Sequence, residues 1–226
     1  MAEEVAVRPY VLLSVATSID GCIDDTSGQT LVLSGTEDRD RVDRVRAACD
    51  AILVGAGTIR ADNPRLVVSD RRRSERVARG APEYPLKVTV TASGDLDPGL
   101  RFWQYGGDKL VYTASQAANP LRTRLAGLAD VVDLGAEIDF GALLDDLGGR
   151  GVGRLMVEGG GQIHTAFLSH GLADEIQLAI APIVVGQRDA PRFLNPASYP
   201  GGPTRRMRLA ETRAIGDVAL MRYLAR

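Results

Sequence analysis

Residues 155–164 read LMVEGGGQIH. The apolar run is strand-like, a glutamate closes it, three glycines follow, and a segment of helical character begins. The triplet raises the question of what lies against that backbone. Without Cβ atoms the chain admits a close neighbour. The free N–H groups at a helix start, together with the positive end of its dipole, attract phosphate. The stretch is therefore a candidate pyrophosphate cradle. It matches neither G-x-G-x-x-G nor the P-loop, and the absent P-loop lysine weighs against phosphoryl transfer. A plain tight turn is the competing reading.

A second glycine element, VGAGT at 54–58, ends another buried strand, AILVGAGT. Ligands of parallel α/β sheets bind at such strand ends, so the pair says more than either alone. A cofactor reaching both would be extended, as a dinucleotide is.

Outward from these two elements, YVLLSVA (10–16) reads as a central strand and TSIDGCIDDTSGQT as a loop. Thr36 reads as the N-cap of a helix with Glu37 and Asp38 in its first turn, running to about Cys49. Val42, Val45 and Cys49 recur on one face; Arg39, Arg41 and Arg44 face elsewhere. IRADNPRLVV leaves the glycine strand through an Asn-Pro turn. SDRRRSERVARGAPEYP reads as an exposed polar segment, and Arg71–Arg73 as a solvated loop, with a cofactor 2′-phosphate as the lesser reading. LKVTVTAS, KLVYTA and DVVDL are strands. Residues 116–128 read as a helix interrupted near Pro120, and 139–148 as an amphipathic helix. DEIQLAIAPIVVG reads as one long strand, and MRLAETRAIGDVALMRYLA as a hairpin about Gly216-Asp217. The alternation predicts an α/β fold, a mostly parallel central sheet flanked by helices with a C-terminal antiparallel hairpin. With no repeat or obvious linker, residues 1–226 read as a single domain.

Composition narrows the function classes. The chain has 226 residues, 45% hydrophobic and 25% charged, with net charge -2. No global basic field points to nucleic acid. No window approaches an apolar membrane span, and MAEEVAVRPY lacks the order of a signal peptide, so a cytoplasmic protein is expected. Cys22 and Cys49 form no CxxC pair, and with His164 and His170 as the two histidines no metal site is expected.

SIDGCI, VGAGTIRADNPRL, LMVEGGGQIHTAFLSHGLADEI and IAPIVVGQ resemble, in that order and spacing, the reductase domain of riboflavin biosynthesis. The resemblance runs from about Pro9 to Leu224. It implies the dihydrofolate reductase-like fold, NADPH as cofactor and a homodimer. No H-x-E with P-C-x-x-C is present, so the deaminase half of the bifunctional family members is not expected here. The implied reaction reduces the ribosyl chain of a pyrimidine ribosylamine 5′-phosphate to ribityl.

The resemblance also implies roles. Gly159, Gly160, Gly161, Gln162 and Ile163 would wrap the cofactor pyrophosphate. Thr58, Asp62 and Ala16 would touch the cofactor, and Ser93 would approach its adenosine end. Thr30, Arg46, Arg65 and Leu66 fall where the family holds substrate. Arg46 or Arg65 would suit the phosphate, because a guanidinium binds it bidentately; the structural reading of Arg46 is a helix C-terminal cation. Glu158 is the candidate catalytic residue, accepting substrate hydrogen bonds or taking part in proton transfer. Asp20 reads as a loop-holding residue, and His164 as structural. Three departures are visible. Ser14 stands where many bifunctional members carry Lys, Asn63 where the turn is usually Asp-Asp-Pro, and the Asp24-Asp25 loop has an extra residue. The alternatives are a reductase of the same fold acting on a dihydropteridine or another modified pyrimidine, and a non-catalytic nucleotide-binding module.

Overall fold

A run of apolar residues with no polar alternation is buried on both faces, and the stretch AILVG of this chain is of that kind. The computed structural model describes residues 7–29, 31–200 and 202–225. The chain forms two compact units. Of the described residues, one unit comprises 7–10 with Arg46–Leu155; the other comprises those of 11–45 and 156–225.

In the first unit four parallel strands lie in the order β5 (Asp130–Asp133), β4 (Lys109–Thr113), β3 (Leu86–Thr91), β2 (Ala51–Gly55). Every residue of β2 is buried. Ile52, Val54, Ile59, Leu96, Phe102, Trp103, Val111 and Leu121 make one apolar cluster. Helices α2 (Ala56–Asp62), α3 (Asp70–Ala78), α4 (Arg101–Gln104), α5 (Ser115–Arg124) and α6 (Phe140–Gly149) connect the strands. Asp139 caps α6 as an acidic residue should, accepting from Gly141 N at 2.7 Å and Ala142 N at 3.0 Å. Pro120 lies inside α5 without ending it.

In the second unit the order is β6 (Arg154–Gly159), β1 (Tyr10–Thr17), β7 (Glu175–Ile180), β9 (Val218–Leu224), β8 (Arg208–Ile215). β1 and β7 are parallel; β9 runs antiparallel to both β7 and β8. The parallel strands and the hairpin at Gly216-Asp217 are as the sequence predicts. Helices α1 (Thr36–Ala47) and α7 (Gly161–Ser169) belong largely to this unit, with a 3-10 turn at Gly202–Thr204, and the unit boundaries fall within β1, α1 and β6.

Several expectations are corrected. The arginine-rich segment is helix α3, not a loop. Its polar surface hides two buried arginines, Arg72 and Arg76; Arg76 donates to the carbonyls of Ala47 (2.8 Å), Cys49 (2.7 Å) and Pro82 (2.8 Å). That places a cation on the last carbonyls of α1, where the helix dipole favours it. Arg41 does not face away. It is 4% exposed, pairs with Asp38 at 2.6 Å and donates to Gln177 at 2.7 Å. Gln177 in turn donates to the buried Glu175, which pairs with Arg222 at 2.6 Å, so buried charge is compensated stepwise across α1, β7 and β9. Thr36 is the first residue of α1 rather than the residue before it, and the helix ends at Ala47. The long strand stops at Ile180 because Pro182 cannot donate to a ladder. IRADNP is not simply a turn: helix α2 starts directly after β2 and reaches Asp62.

Candidate functional site

The second unit carries the glycine turn. β6 brings Glu158, partly buried, to its end, and α7 starts at Gly161 with no side chain capping its N-terminus. The three glycines have different reasons to be there. Gly159 has φ +118°, a conformation closed to ordinary side chains, and a Cβ there would stand 3.2 Å from the His164 ring. Gly161 sits under the chain's own backbone: a Cβ would lie 2.2 Å from the Arg192 carbonyl oxygen. Gly160 has φ −78°, which any residue adopts. The Gly159–Gly160 peptide is cis. What lies against the triplet is thus partly the protein itself.

His164 is 1% exposed, stacked edge-on with Phe193 at 5.1 Å, its Nε2 3.4 Å from the Val157 carbonyl. Burial pulls its pKa down to about 4, so it is neutral and structural near pH 7. Ile163 is buried beside it on α7, and Gln162 is exposed. Ala16, near the end of β1, packs against Ala179, Val218 and Leu220. Ser14 is 6% exposed on the same strand.

Asp20 holds two loops together. It accepts from Ser18 Oγ (2.6 Å), Val185 N (3.0 Å) and Gly186 N (2.7 Å). The Ser18 hydroxyl, then those two N–H groups, hold its carboxyl well below the usual carboxylate range. The loop-holding role read from SIDG is the one the geometry gives. Arg192 adds a bond to the Asp20 carbonyl, at 3.0 Å.

The first unit carries the other candidate residues. Thr58 and Asp62 lie one turn apart on α2, on one helix face. Asn63 caps α2 in the left-handed region (φ 43°), and Leu66, buried, is left-handed as well (φ 49°). A non-glycine residue at positive φ is uncommon, and for leucine it is strained. Arg65 between them is exposed; its guanidinium lies 5.0 Å from the Tyr105 ring centroid, and it has no carboxylate partner among the described residues. Arg46, in the last turn of α1, reaches toward the Val67 carbonyl at 3.4 Å. Ser93 is exposed in the turn after β3, accepting from Asp95 N at 3.3 Å, and Arg60 of α2 donates to the Asp95 carbonyl at 2.9 Å. Thr30 lies outside the described residues.

Sequence reading missed Lys87, Tyr105 and α4. Asn63 Oδ1 accepts from Arg101 N at 2.7 Å, fixing α4 to the turn that carries Arg65. Lys87, 1% exposed, donates to the Arg65 and Phe102 carbonyls, both at 2.7 Å. No sign of it stood in the sequence: LKVTVT alternates apolar and polar residues, and Lys87 falls with Thr89 and Thr91 on the polar side of that alternation. Among the described residues no group of three or more His, Cys, Asp or Glu could hold a metal ion, and no helix is long and apolar enough to cross a membrane.

The match that decides the family covers residues 9–221, and it is to the RibD C-terminal domain. The chain belongs to that family. It is 37% identical, over 93% of its length and 95% of the relative's, to the 2,5-diamino-6-ribosylamino-4(3H)-pyrimidinone 5′-phosphate reductase of Archaeoglobus fulgidus. The protein of the same name in Methanothermobacter thermautotrophicus is 37% identical over 81% of this chain and 82% of that one. Among solved structures, Acinetobacter baumannii RibD superposes with a TM-score of 0.80 at 23% identity, covering 97% of this chain and 58% of that one. That likeness shows the fold, the dihydrofolate reductase-like arrangement that the resemblance implied.

Proposed function

We propose that this RibD C-terminal domain protein is an NADPH-dependent reductase of riboflavin biosynthesis, acting as one reductase domain. It converts the ribosyl chain of a pyrimidine ribosylamine 5′-phosphate to ribityl, and the 2,5-diamino pyrimidinone is the preferred substrate. The observation that carries this reading is the identity to reductases named for that substrate, end to end rather than over one motif.

The residues present suit the cofactor. α7 offers an uncapped N-terminus beside glycines, the chemistry a pyrophosphate needs. Gly160, Gly161, Gln162 and Ile163 would hold it there, Thr58 and Asp62 would contact it from α2, and Ser93 and Ala16 are the further contacts. When bound, the nicotinamide supplies a hydride, which the sugar C1′ receives. The protein's own share is positioning and charge. Arg65, exposed and with no carboxylate partner among the described residues, takes the substrate phosphate bidentately, with Arg46 as the second cation; Leu66 and Thr30 are the further substrate contacts of the proposal. Glu158 accepts hydrogen bonds from the substrate or passes a proton. A homodimer in the cytoplasm is part of the same proposal.

NADPH oxidation, followed by the loss of its near-ultraviolet absorbance, tests the reading with the two ribosylamine phosphates and dihydrofolate offered separately. Turnover of the diamino pyrimidinone is expected. Turnover of dihydrofolate alone would move the protein to the pteridine alternative, and tight NADPH binding without any turnover would favour a nucleotide-binding module.

A further inference from the structure

We propose that Lys87 is a positioning residue. Its buried ammonium holds the Arg65 guanidinium and the Tyr105 ring together as one anion-recognition unit, an inference that rests on the assignment of Arg65 to the substrate phosphate.

Lys87 lies on β3, where all but the first residue is buried. A buried ammonium is costly unless it is bonded, and it is usually paired with a carboxylate. Here the partners are two main-chain carbonyls, Arg65 O and Phe102 O, with the Phe102 ring centroid 4.9 Å away. The charged groups that act on it, Lys109 and Arg46, are cations. Ion pairing is therefore not what the lysine is for. An apolar residue would fill the same space, so what the ammonium adds is a bridge between two carbonyls.

The bridged segments are the irregular ones. Arg65 directly precedes the left-handed Leu66. Phe102 belongs to α4, a single turn that ends directly before Tyr105. The two segments carry the two halves of the Arg65–Tyr105 stack. Asn63 ties the outer end of the same pair through Arg101, and Lys87 ties the inner end. Space for the lysine stem is provided by Gly106, where a Cβ would come within 2.8 Å of Lys87 Cε. Lys87 therefore sets the backbone from which Arg65 reaches out.

The test is Lys87→Met, which keeps length and apolar bulk and removes the donors. In the wild type the Arg65 side-chain methylene protons should show an upfield ring-current shift from Tyr105 by NMR; its absence there would overturn the proposal without any variant. In Lys87→Met that shift should collapse. KM for the ribosylamine phosphate should rise about tenfold, with kcat and the NADPH KM changed less than about twofold. A retained shift with unchanged KM in Lys87→Met overturns the proposal. So does an equal loss in every kinetic constant, the mark of general damage. Arg65→Ala separates the two assignments. An unchanged substrate KM in that variant removes the phosphate role of Arg65, and with it the functional half of this inference. A raised KM in Arg65→Ala beside an unchanged one in Lys87→Met overturns only the role of Lys87.

Discussion

Two turns of this molecule solve one problem in opposite ways. Residues 159–161 are all glycine, and positive φ and close approach are met by having no side chain. Residues 63–66 contain no glycine, yet two of them are left-handed. The second turn is held from outside, by Asn63 to Arg101 and by Lys87 to the Arg65 carbonyl. Each turn also rests on a buried base: His164 beside Gly159, and Lys87 beneath Arg65. The difference teaches that a glycine turn stores its geometry in the backbone, whereas a side-chain-bearing turn depends on polar ties that a single substitution removes. The second arrangement is the one that can hold out an exposed arginine beside a buried leucine.

The comparison is broken most severely at Gly161. Alanine there would place its Cβ 2.2 Å from the Arg192 carbonyl oxygen, a backbone atom that cannot swing aside. Gly161→Ala is expected to lower unfolding free energy by more than about 3 kcal/mol, because the helix start or the 192–193 segment must move. Chemical denaturation measures it. A loss under about 1 kcal/mol would mean that the segment yields easily, and the triplet would then owe its third glycine to a ligand rather than to packing.

The buried bases sharpen the contrast through pH. Lys87 is pulled from its ordinary value near 10.5 to about 7, first by burial and then by Lys109 and Arg46. The unfolded chain therefore binds the proton more tightly between about pH 7 and 10.5. Stability attributable to Lys87 rises with pH across that window, by up to ~1.4 kcal/mol per unit, and is flat below it. Lys87→Met should remove that slope, which denaturation at pH 7, 8, 9 and 10 would measure. His164, with a folded value of about 4 against 6.5, has the same sign in an acidic window. The fold loses stability as pH falls from about 6.5 to about 4, by roughly 3 kcal/mol in all. His164→Met should flatten that acid limb. An unaltered limb would show that other groups carry it.

These turns also show how far the sequence could be read. The strands were legible because fully buried parallel strands leave unbroken apolar runs, as in AILVG and YVLLSVAT. The glycine turn was legible because three glycines between a strand and a helix have few uses. α2 and α4 were not: α2 follows β2 with no capping side chain to announce it, and α4 is four residues long. α3 was hidden because its arginines look solvated, while Arg72 and Arg76 bury their stems. In the candidate site the motifs brought Glu158, Asp62 and Arg65 to notice, since they sit in or beside turns with recognisable residues. Lys87 escaped because its partners are main-chain carbonyls twenty-two and fifteen residues away, which no local pattern encodes.

The smallest break concerns Asn63, where a turn usually reading Asp-Asp-Pro has lost a charge. The structure assigns its side chain two duties: it tolerates φ 43° at the end of α2, and its Oδ1 accepts from Arg101 N. Asp can do both; Gly can do only the first, and Ala neither. Asn63→Asp should therefore leave stability within about 0.5 kcal/mol, and Asn63→Ala should cost about 1–2 kcal/mol, with Asn63→Gly between them. The same order should hold for the substrate KM, because slackening this tie frees α4 and Tyr105 from beneath Arg65. If stability falls in that order while KM does not move, Asn63 serves the helix end alone, and Lys87 is sufficient to keep Arg65 in place.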